Sequence, residues 1–249
     1  LFKIPGFMIT LAVFTYNREQ RLSQCLQSIN SLFVNEILLF NDNETQDLNI
    51  SQLQLPPDLV KYIKIYNPID FGYTNRSFRK PIYLNKAVEI SENDTILFSD
   101  DDGIFSMGAV DNHVNALKDF VFCAGSIIRR RLLNRKSKSI LQGTNYSFKK
   151  QFFKDVGGYD EAYVKSKGGG DVDFWYRIYM YVKLHKLPVA FLPNASQNVT
   201  VKSERKKNTS EMDPRVYTLN KHRLNLKGPM YKWFPEIRDK SKWMHIFND

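Results

Sequence analysis

Cysteine is scarce in this chain of 249 residues, which carries only Cys25 and Cys123. Two thiols cannot build a disulfide framework or a thiolate zinc site, and the scarcity fits a reducing compartment, so a cytoplasmic address is expected. Long hydrophobic runs are also missing. The best candidate, Met8 to Phe14, runs straight into Thr15, Tyr16, Asn17 and Arg18. That is far short of the ~18 apolar residues of a spanning helix, and it is too short and poorly flanked for a secretory signal. A soluble chain is expected, and its start at Leu1 rather than methionine leaves room for a longer parent protein. Acidic residues are outnumbered, 26 against 36 Lys and Arg, giving a formal net charge of +10. The excess favours an anionic partner without choosing between nucleic acid, membrane and a phosphorylated small molecule. No internal repeat is visible, and sequons such as Asn194-Ala195-Ser196 arise readily in an asparagine-rich chain.

Against these absences stands a composition of 43% hydrophobic and 14% aromatic residues, enough for a substantial core in one large domain or two small ones, and incompatible with disorder. Apolar runs of strand length recur at Met8–Phe14, Glu36–Phe40, Val60–Tyr66, Thr95–Ser99, Phe120–Ser126 and Val189–Leu192, bounded by polar turns. Helical patterns lie between them. Leu22, Leu26, Ile29 and Phe33 share one face, and Pro81 can open a helix that buries Leu84, Ala87 and Val88. The alternation predicts an α/β fold with a mostly parallel central sheet flanked by helices. In such sheets ligands bind beyond the carboxyl ends of the strands. After about residue 200 the chain turns basic, with aromatics Tyr231, Trp233, Phe234 and Trp243 near its end. That extension suits a sugar, a phosphate-bearing ligand or an anionic membrane surface, or equally a solvated tail packed back on the domain.

Four clusters follow strand ends or a glycine run. In Thr95-Ile96-Leu97-Phe98-Ser99-Asp100-Asp101-Asp102-Gly103 a strand delivers three carboxylates into a turn. Like charges so crowded are costly unless a cation sits among them, and Mg²⁺ or Mn²⁺ would accept such oxygens while keeping sites open for phosphates; the alternative is a water-solvated acidic turn. Gly168-Gly169-Gly170-Asp171 opens a helical pattern. There Asp171 reads either as an N-cap or as a general base beside a glycine hinge. Thr15-Tyr16-Asn17-Arg18 and Asn41-Asp42-Asn43-Glu44-Thr45 close the first two strands.

The succession of these pieces resembles the nucleotide-sugar glycosyltransferases of the GT-A fold, family 2 in particular, over about residues 7–195. Its matching segments are Ile9–Leu26, Glu36–Asp47, Asp100 and Asp102 as Asp-x-Asp, Gly143-Thr144-Asn145-Tyr146-Ser147-Phe148, Gly157-Gly158-Tyr159-Asp160-Glu161, and Gly169-Gly170-Asp171-Val172-Asp173-Phe174. The resemblance implies a catalytic domain over 1–200, with a Rossmann-like nucleotide-sugar half at 1–103, an acceptor half at 104–200 and a basic extension at 201–249. It implies that Thr15, Tyr16, Asn17 and Arg18 line the nucleoside pocket and that Asp42, with Asn41, holds base or ribose. Asp100 would touch the ribose side, and Asp102 would ligate the metal, with Asp101 alongside. Gly157 to Glu161 would shape the acceptor side, and Asp171 would be the base. Arg79 and Lys80, with Arg76, lie between the third strand and the Pro81 helix, where cations could offset diphosphate charge or equally stand as solvated loop residues.

Three departures stand out. Gly170 replaces the Glu that commonly precedes the base, Asn41 replaces a second acid, and Gln197 and Asn198 stand where a metal-binding histidine is often found. His222, further on, is the candidate substitute ligand beside Asp100 and Asp102. The other histidines, His113, His185 and His245, read as structural or surface residues. The expected reaction is a metal-dependent, inverting transfer from a nucleoside-diphosphate sugar, a UDP-sugar being the family's commonest donor, to a hydroxyl of a glycan or glycolipid. Peripheral contact with an anionic membrane at its inner face fits the basic extension, and no nucleic acid is expected. The competing readings are a nucleotidyltransferase, disfavoured because no Gly-rich, basic phosphate loop follows the first strand, an Asp-x-Asp phosphatase, disfavoured by Gly103, and a glycan- or nucleic-acid-binding module.

Overall fold

The computed structural model describes residues 7–43, 45–67, 70, 79–130, 136–139, 144–165, 169–200, 217–218 and 221–222. Among the described residues nine strands form one sheet: β1 (Ile9–Thr15), β2 (Val34–Asn41), β3 (Ile63–Tyr66), β4 (Thr95–Asp100), β5 (Gly103–Phe105), β6 (Phe122–Arg130), β7 (Lys136–Ser139), β8 (Tyr146–Lys149) and β9 (Val189–Thr200). Their order is β3-β2-β1-β4-β8-β6-β9-β5, with β7 paired to β6. Six α-helices accompany them among the described residues: α1 (Glu19–Gln27), α2 (Pro57–Val60), α3 (Lys80–Ile90), α4 (Ala109–Ala116), α5 (Lys150–Asp155) and α6 (Gly170–His185).

Strand alternation sorts the core onto two faces. Ala12, Phe14, Leu38, Phe40, Ile96 and Phe98 point to the side covered by α3, α5 and α6. Ile9, Leu11, Val13, Ile37, Leu39 and Leu97 point to the side covered by α1 and α4. Phe98 is fully buried, edge-on to Phe14, Tyr146, Phe148 and Phe153 at centroid distances of 6.0, 5.3, 4.9 and 6.1 Å; a ring so placed is worth ~3–5 kcal/mol against alanine. Pro81 sits in the first turn of α3, where its missing N–H costs nothing, and the helix buries Leu84, Ala87 and Val88 as its pattern predicts.

The sheet is mixed rather than mostly parallel. Of its eight pairings, β1·β2, β1·β4, β2·β3 and β6·β9 are parallel, and β4·β8, β6·β8, β6·β7 and β5·β9 are antiparallel. The parallel Rossmann-like arrangement holds for β3-β2-β1-β4. Beyond it the four-residue β8, too short to stand out in the sequence, runs the other way between β4 and β6. Asn145 makes that junction. In a left-handed backbone conformation (φ 59°), its N–H donates to Phe98 O at 2.8 Å and its carbonyl accepts from Gly125 N–H at 2.8 Å. Its Nδ2 donates to Ser126 O and Ala195 O at 3.0 and 2.9 Å, tying β4, β6 and β9 together. Of the described residues, none form a helix long and apolar enough to cross a membrane.

Candidate active site

Register brings the strand ends to one edge. Thr15 pairs with Asn41 across β1 and β2, and Phe14 pairs with Asp100 across β1 and β4, so the segments after these three strands emerge side by side. The three aspartates then diverge. Asp101 turns inward, 1% exposed, where Thr15 Oγ1 donates to its Oδ2 at 2.8 Å and Arg18 Nη1 to its Oδ1 at 3.0 Å. Burial pushes its carboxyl up to about 7 against the downward pull of Arg18 and Thr15. It therefore anchors the corner from beneath and does not face a ligand, and Thr15 spends its hydroxyl on the same contact.

Asp100 and Asp102 remain at the rim, both partly buried. Lys80 Nζ pairs with Asp100 and lies 5.6 Å over the Phe14 ring, while Thr144 Oγ1 accepts from the Asp100 N–H at 2.8 Å. Arg18 Nη1 lies 3.6 Å from Asp102 Oδ2. Burial and the neighbouring Asp100 charge push the Asp102 carboxyl above its ordinary range, partly offset by Arg18, Lys80 and Arg21. Asp100 and Asp102 offer hard oxygen donors of the kind Mg²⁺ or Mn²⁺ accepts, and their negative charge is already met by Lys80, Arg18 and Arg21. Among the described residues no three His, Cys, Asp or Glu side chains gather as a ligand set, so a cation here would need further oxygens from substrate or water.

His222 does not join that pair. Its Nε2 sits 2.6 Å from Asp173 Oδ1, and its ring packs edge-on to Tyr176 at 4.9 Å, so the expected substitute ligand belongs to a different cluster. The histidine-like place on β9 is filled by Gln197, fully buried, whose Nε2 donates to Ser99 Oγ at 2.6 Å and whose Oε1 accepts from Thr144 Oγ1 at 3.2 Å. A Cβ at Gly103 would come within 2.4 Å of the Gln197 Cδ, so the glycine after the aspartates makes room for this amide.

On the β2 side, Asp42 accepts from Arg79 Nη1 at 2.9 Å and from Tyr83 OH at 3.3 Å. Arg79 is fully buried, so it orients Asp42 and does not meet a diphosphate itself. Asn41 is likewise inward, 3% exposed. Its Nδ2 donates to Gln46 O and Asn67 Oδ1, and its Oδ1 accepts from Asn43 N–H, at 2.9, 3.0 and 3.1 Å. It shapes the loop after β2. Tyr16 is half-buried and Asn17 exposed, with Asn17 in a left-handed turn (φ 50°) before α1. Arg76 and Gly143 lie outside the described residues.

Asp171 stands in the first turn of α6 but does not cap it. The cap is Gly169 at φ 92°, a conformation that suits glycine, with no side-chain cap. Asp171 Oδ1 accepts from the adjacent Val172 N–H at 3.0 Å. Between the halves lies a buried hydroxyl pair, Tyr146 OH and Tyr159 OH at 2.9 Å. Burial above all, with smaller contributions from the charges of Asp100 and Asp171, pushes these phenols up. The Gly157–Glu161 turn is fixed from α3, where Asn85 Oδ1 accepts from Tyr159 N–H and Asn85 Nδ2 donates to Glu161 Oε1, at 2.8 and 2.9 Å. Both cysteines are buried and free. Burial pushes the Cys123 thiol up to about 12 and the Cys25 thiol higher still, so neither is a nucleophile.

The family model for glycosyl transferase family 2 matches residues 10–167, more than half of the chain. The chain belongs to glycosyl transferase family 2. Within this family-2 protein the match contains the aspartate corner and stops short of Asp171 and α6. Two curated relatives, the SPbeta prophage-derived glycosyltransferase SunS of Bacillus subtilis (strain 168) and the glycosyltransferase SunS of Bacillus phage SPbeta, are each 31% identical over 99 residues. The alignment takes in 39% of this chain and 21% of each relative, so the chain spans about a fifth of their length. A crystal structure of S. aureus TarS, residues 1–349, superposes with a TM-score of 0.57 at 15% identity, covering 78% of this chain and 60% of that one. That likeness concerns the fold, an α/β arrangement with a mixed sheet, consistent with GT-A.

Proposed function

We propose that this family-2 protein transfers a sugar from a nucleoside-diphosphate sugar to a hydroxyl of a glycan or glycolipid, with inversion at the anomeric carbon. One observation supports the reading most: strand register sets the ends of β1, β2 and β4 side by side, so Tyr16, Asp42, Asp100 and Asp102 follow strands that end along one edge of the sheet. Tyr16, Asn17 and Asp42 border the nucleoside end, with Arg79 and Tyr83 orienting Asp42. Lys80 and Arg18 supply positive charge where a diphosphate would approach. Asp100 and Asp102 are the residues to hold a divalent cation, which would supply Lewis-acid neutralisation of the departing diphosphate.

Asp171 takes the proton from the acceptor hydroxyl as that oxygen bonds to the anomeric carbon. The bond from that carbon to the β-phosphate oxygen breaks, and its electron pair leaves with the nucleoside diphosphate. Tyr159 and the turn at Gly157 and Gly158 form the floor beside the acceptor. A UDP-sugar is the donor to test first.

The test is incubation with a panel of nucleotide sugars, with and without Mn²⁺, reading the nucleotide product. Release of nucleoside diphosphate with a matching transferred sugar is the expected result. Pyrophosphate as product would make the protein a nucleotidyltransferase, and nucleotide binding without turnover of any donor would make it a binding module.

A further inference from the structure

The residues Tyr217, Thr218, Lys221 and His222 return from beyond β9 to grip the acceptor half at three places around Asp171. Lys221 Nζ bridges two carboxylates, Asp160 Oδ2 at 2.8 Å and Asp173 Oδ1 at 3.0 Å. Tyr217 OH donates to Asp160 Oδ2 at 2.7 Å, and His222 Nε2 holds Asp173 Oδ1 at 2.6 Å. Thr218 is fully buried and shares a hydrogen bond with Tyr163 OH, and the Tyr217 ring stands edge-on to Tyr163 at 5.1 Å. Asp173 is also fully buried, and Arg177, which donates to it at 2.9 Å, reaches on to Val156 O at 2.8 Å. Burial alone would raise the Asp160 and Asp173 carboxyls, yet their partners hold both below the ordinary range.

The first turn of α6 lacks a side-chain cap and starts from Gly169 and Gly170, so its direction needs another source. Asp173, in that same turn, supplies the only deeply buried charge there among the described residues, and the clasp ties it to Asp160 in the turn that lines the acceptor floor. We propose that Lys221 and His222, with Tyr217 and Thr218, are positioning residues that fix the first turn of α6 and thereby aim the Asp171 carboxylate at the acceptor. The proposal rests on the reading of Asp171 as base. It extends the working site beyond the segment matched by the family model, into residues that sequence patterns assigned to a basic tail.

The experiment compares the full chain with Lys221→Gln/His222→Gln, Lys221→Arg and Tyr217→Phe, the last removing a single hydroxyl should the double variant fail to fold. The measurements are kcat, KM for donor and acceptor, UDP affinity by calorimetry with Mn²⁺, and hydrogen exchange of the 170–176 amides. A misaimed base predicts kcat lower by about ten- to hundredfold, with donor KM and UDP affinity held within about twofold, faster exchange in that turn, and recovery in Lys221→Arg. Tyr217→Phe should shift kcat and exchange in the same direction by less. Parental kcat in folded variants overturns the proposal, as does a loss of UDP affinity matching the loss of kcat. If the parent chain turns over no nucleotide sugar, the functional reading falls separately. Exchange then still decides the clasp: unchanged protection in the variants overturns it, and faster exchange confined to 170–176 upholds it.

Discussion

Arg18 holds the buried Asp101 at 3.0 Å and reaches Asp102 at 3.6 Å, so one guanidinium serves both the foundation and the rim of the aspartate corner. Removing it leaves Asp101 buried without its counter-charge. Arg18→Met should lower the unfolding free energy at pH 8 by about 3 kcal/mol, and less at pH 5, where Asp101, with its carboxyl near 7, is already protonated. Arg18→Met/Asp101→Asn should recover most of the loss. Urea denaturation at the two pH values checks this, and a loss that is equal at both would contradict the pairing.

The rim and the helix start should fail differently. Asp102→Asn weakens Mn²⁺ binding and turnover together, whereas Asp171→Asn leaves UDP and Mn²⁺ affinity intact while kcat falls by about 10²- to 10⁴-fold. Calorimetry paired with steady-state kinetics separates the two, and an Asp171→Asn protein working at the parental rate removes Asp171 from the chemistry.

His113 gives the fold an acid-sensitive point. It is fully buried on α4, and its Nε2 meets Asn145 Oδ1 at 3.1 Å. An amide oxygen only accepts, so that nitrogen carries the hydrogen, and Nδ1 accepts from Ser147 Oγ at 2.8 Å. Burial lowers the imidazole to about 4 from 6.5, with Asn145 pulling the other way. Between those values the unfolded chain binds a proton that the folded one refuses. The contribution of His113 to stability should therefore fall as pH drops from 6.5 to 4, by about 1.4 kcal/mol per pH unit and about 3 kcal/mol in all. The Asp101 carboxyl, near 7, gives an opposite slope over that range, in the parent and in His113→Gln alike. The measurement is therefore the stability difference between the two proteins, which should shift by that amount as pH falls from 6.5 to 4; a difference that does not change with pH would assign no acid sensitivity to His113.

Much of this was legible in the sequence. The runs at Met8–Phe14, Glu36–Phe40 and Thr95–Ser99 became β1, β2 and β4, because buried parallel strands read as continuous apolar stretches. The acids after them fell at one edge because register does not slip where both faces are buried. What stayed hidden depends on contacts distant in the chain. Only the folded corner shows that Asp101 points inward, that Asn41 is spent on its own loop, or that Arg79 serves Asp42 from within. His222 was read as a metal ligand from chain order, and its partner is Asp173. Tyr146–Lys149 gave no strand signal, since four residues offer too little alternation, and that short element is what makes the sheet mixed. The Gln197 and Gly103 fit did leave a trace, a glycine directly after three aspartates, whose reason lies 94 residues later in the chain.

Strand β8, hydrogen-bonded to β4 on one side and β6 on the other, welds the two halves into a single plate. Splaying them apart would mean tearing a continuous ladder, so β4, with Asp100 at its end, is held at a fixed place relative to β6 and, through it, β9.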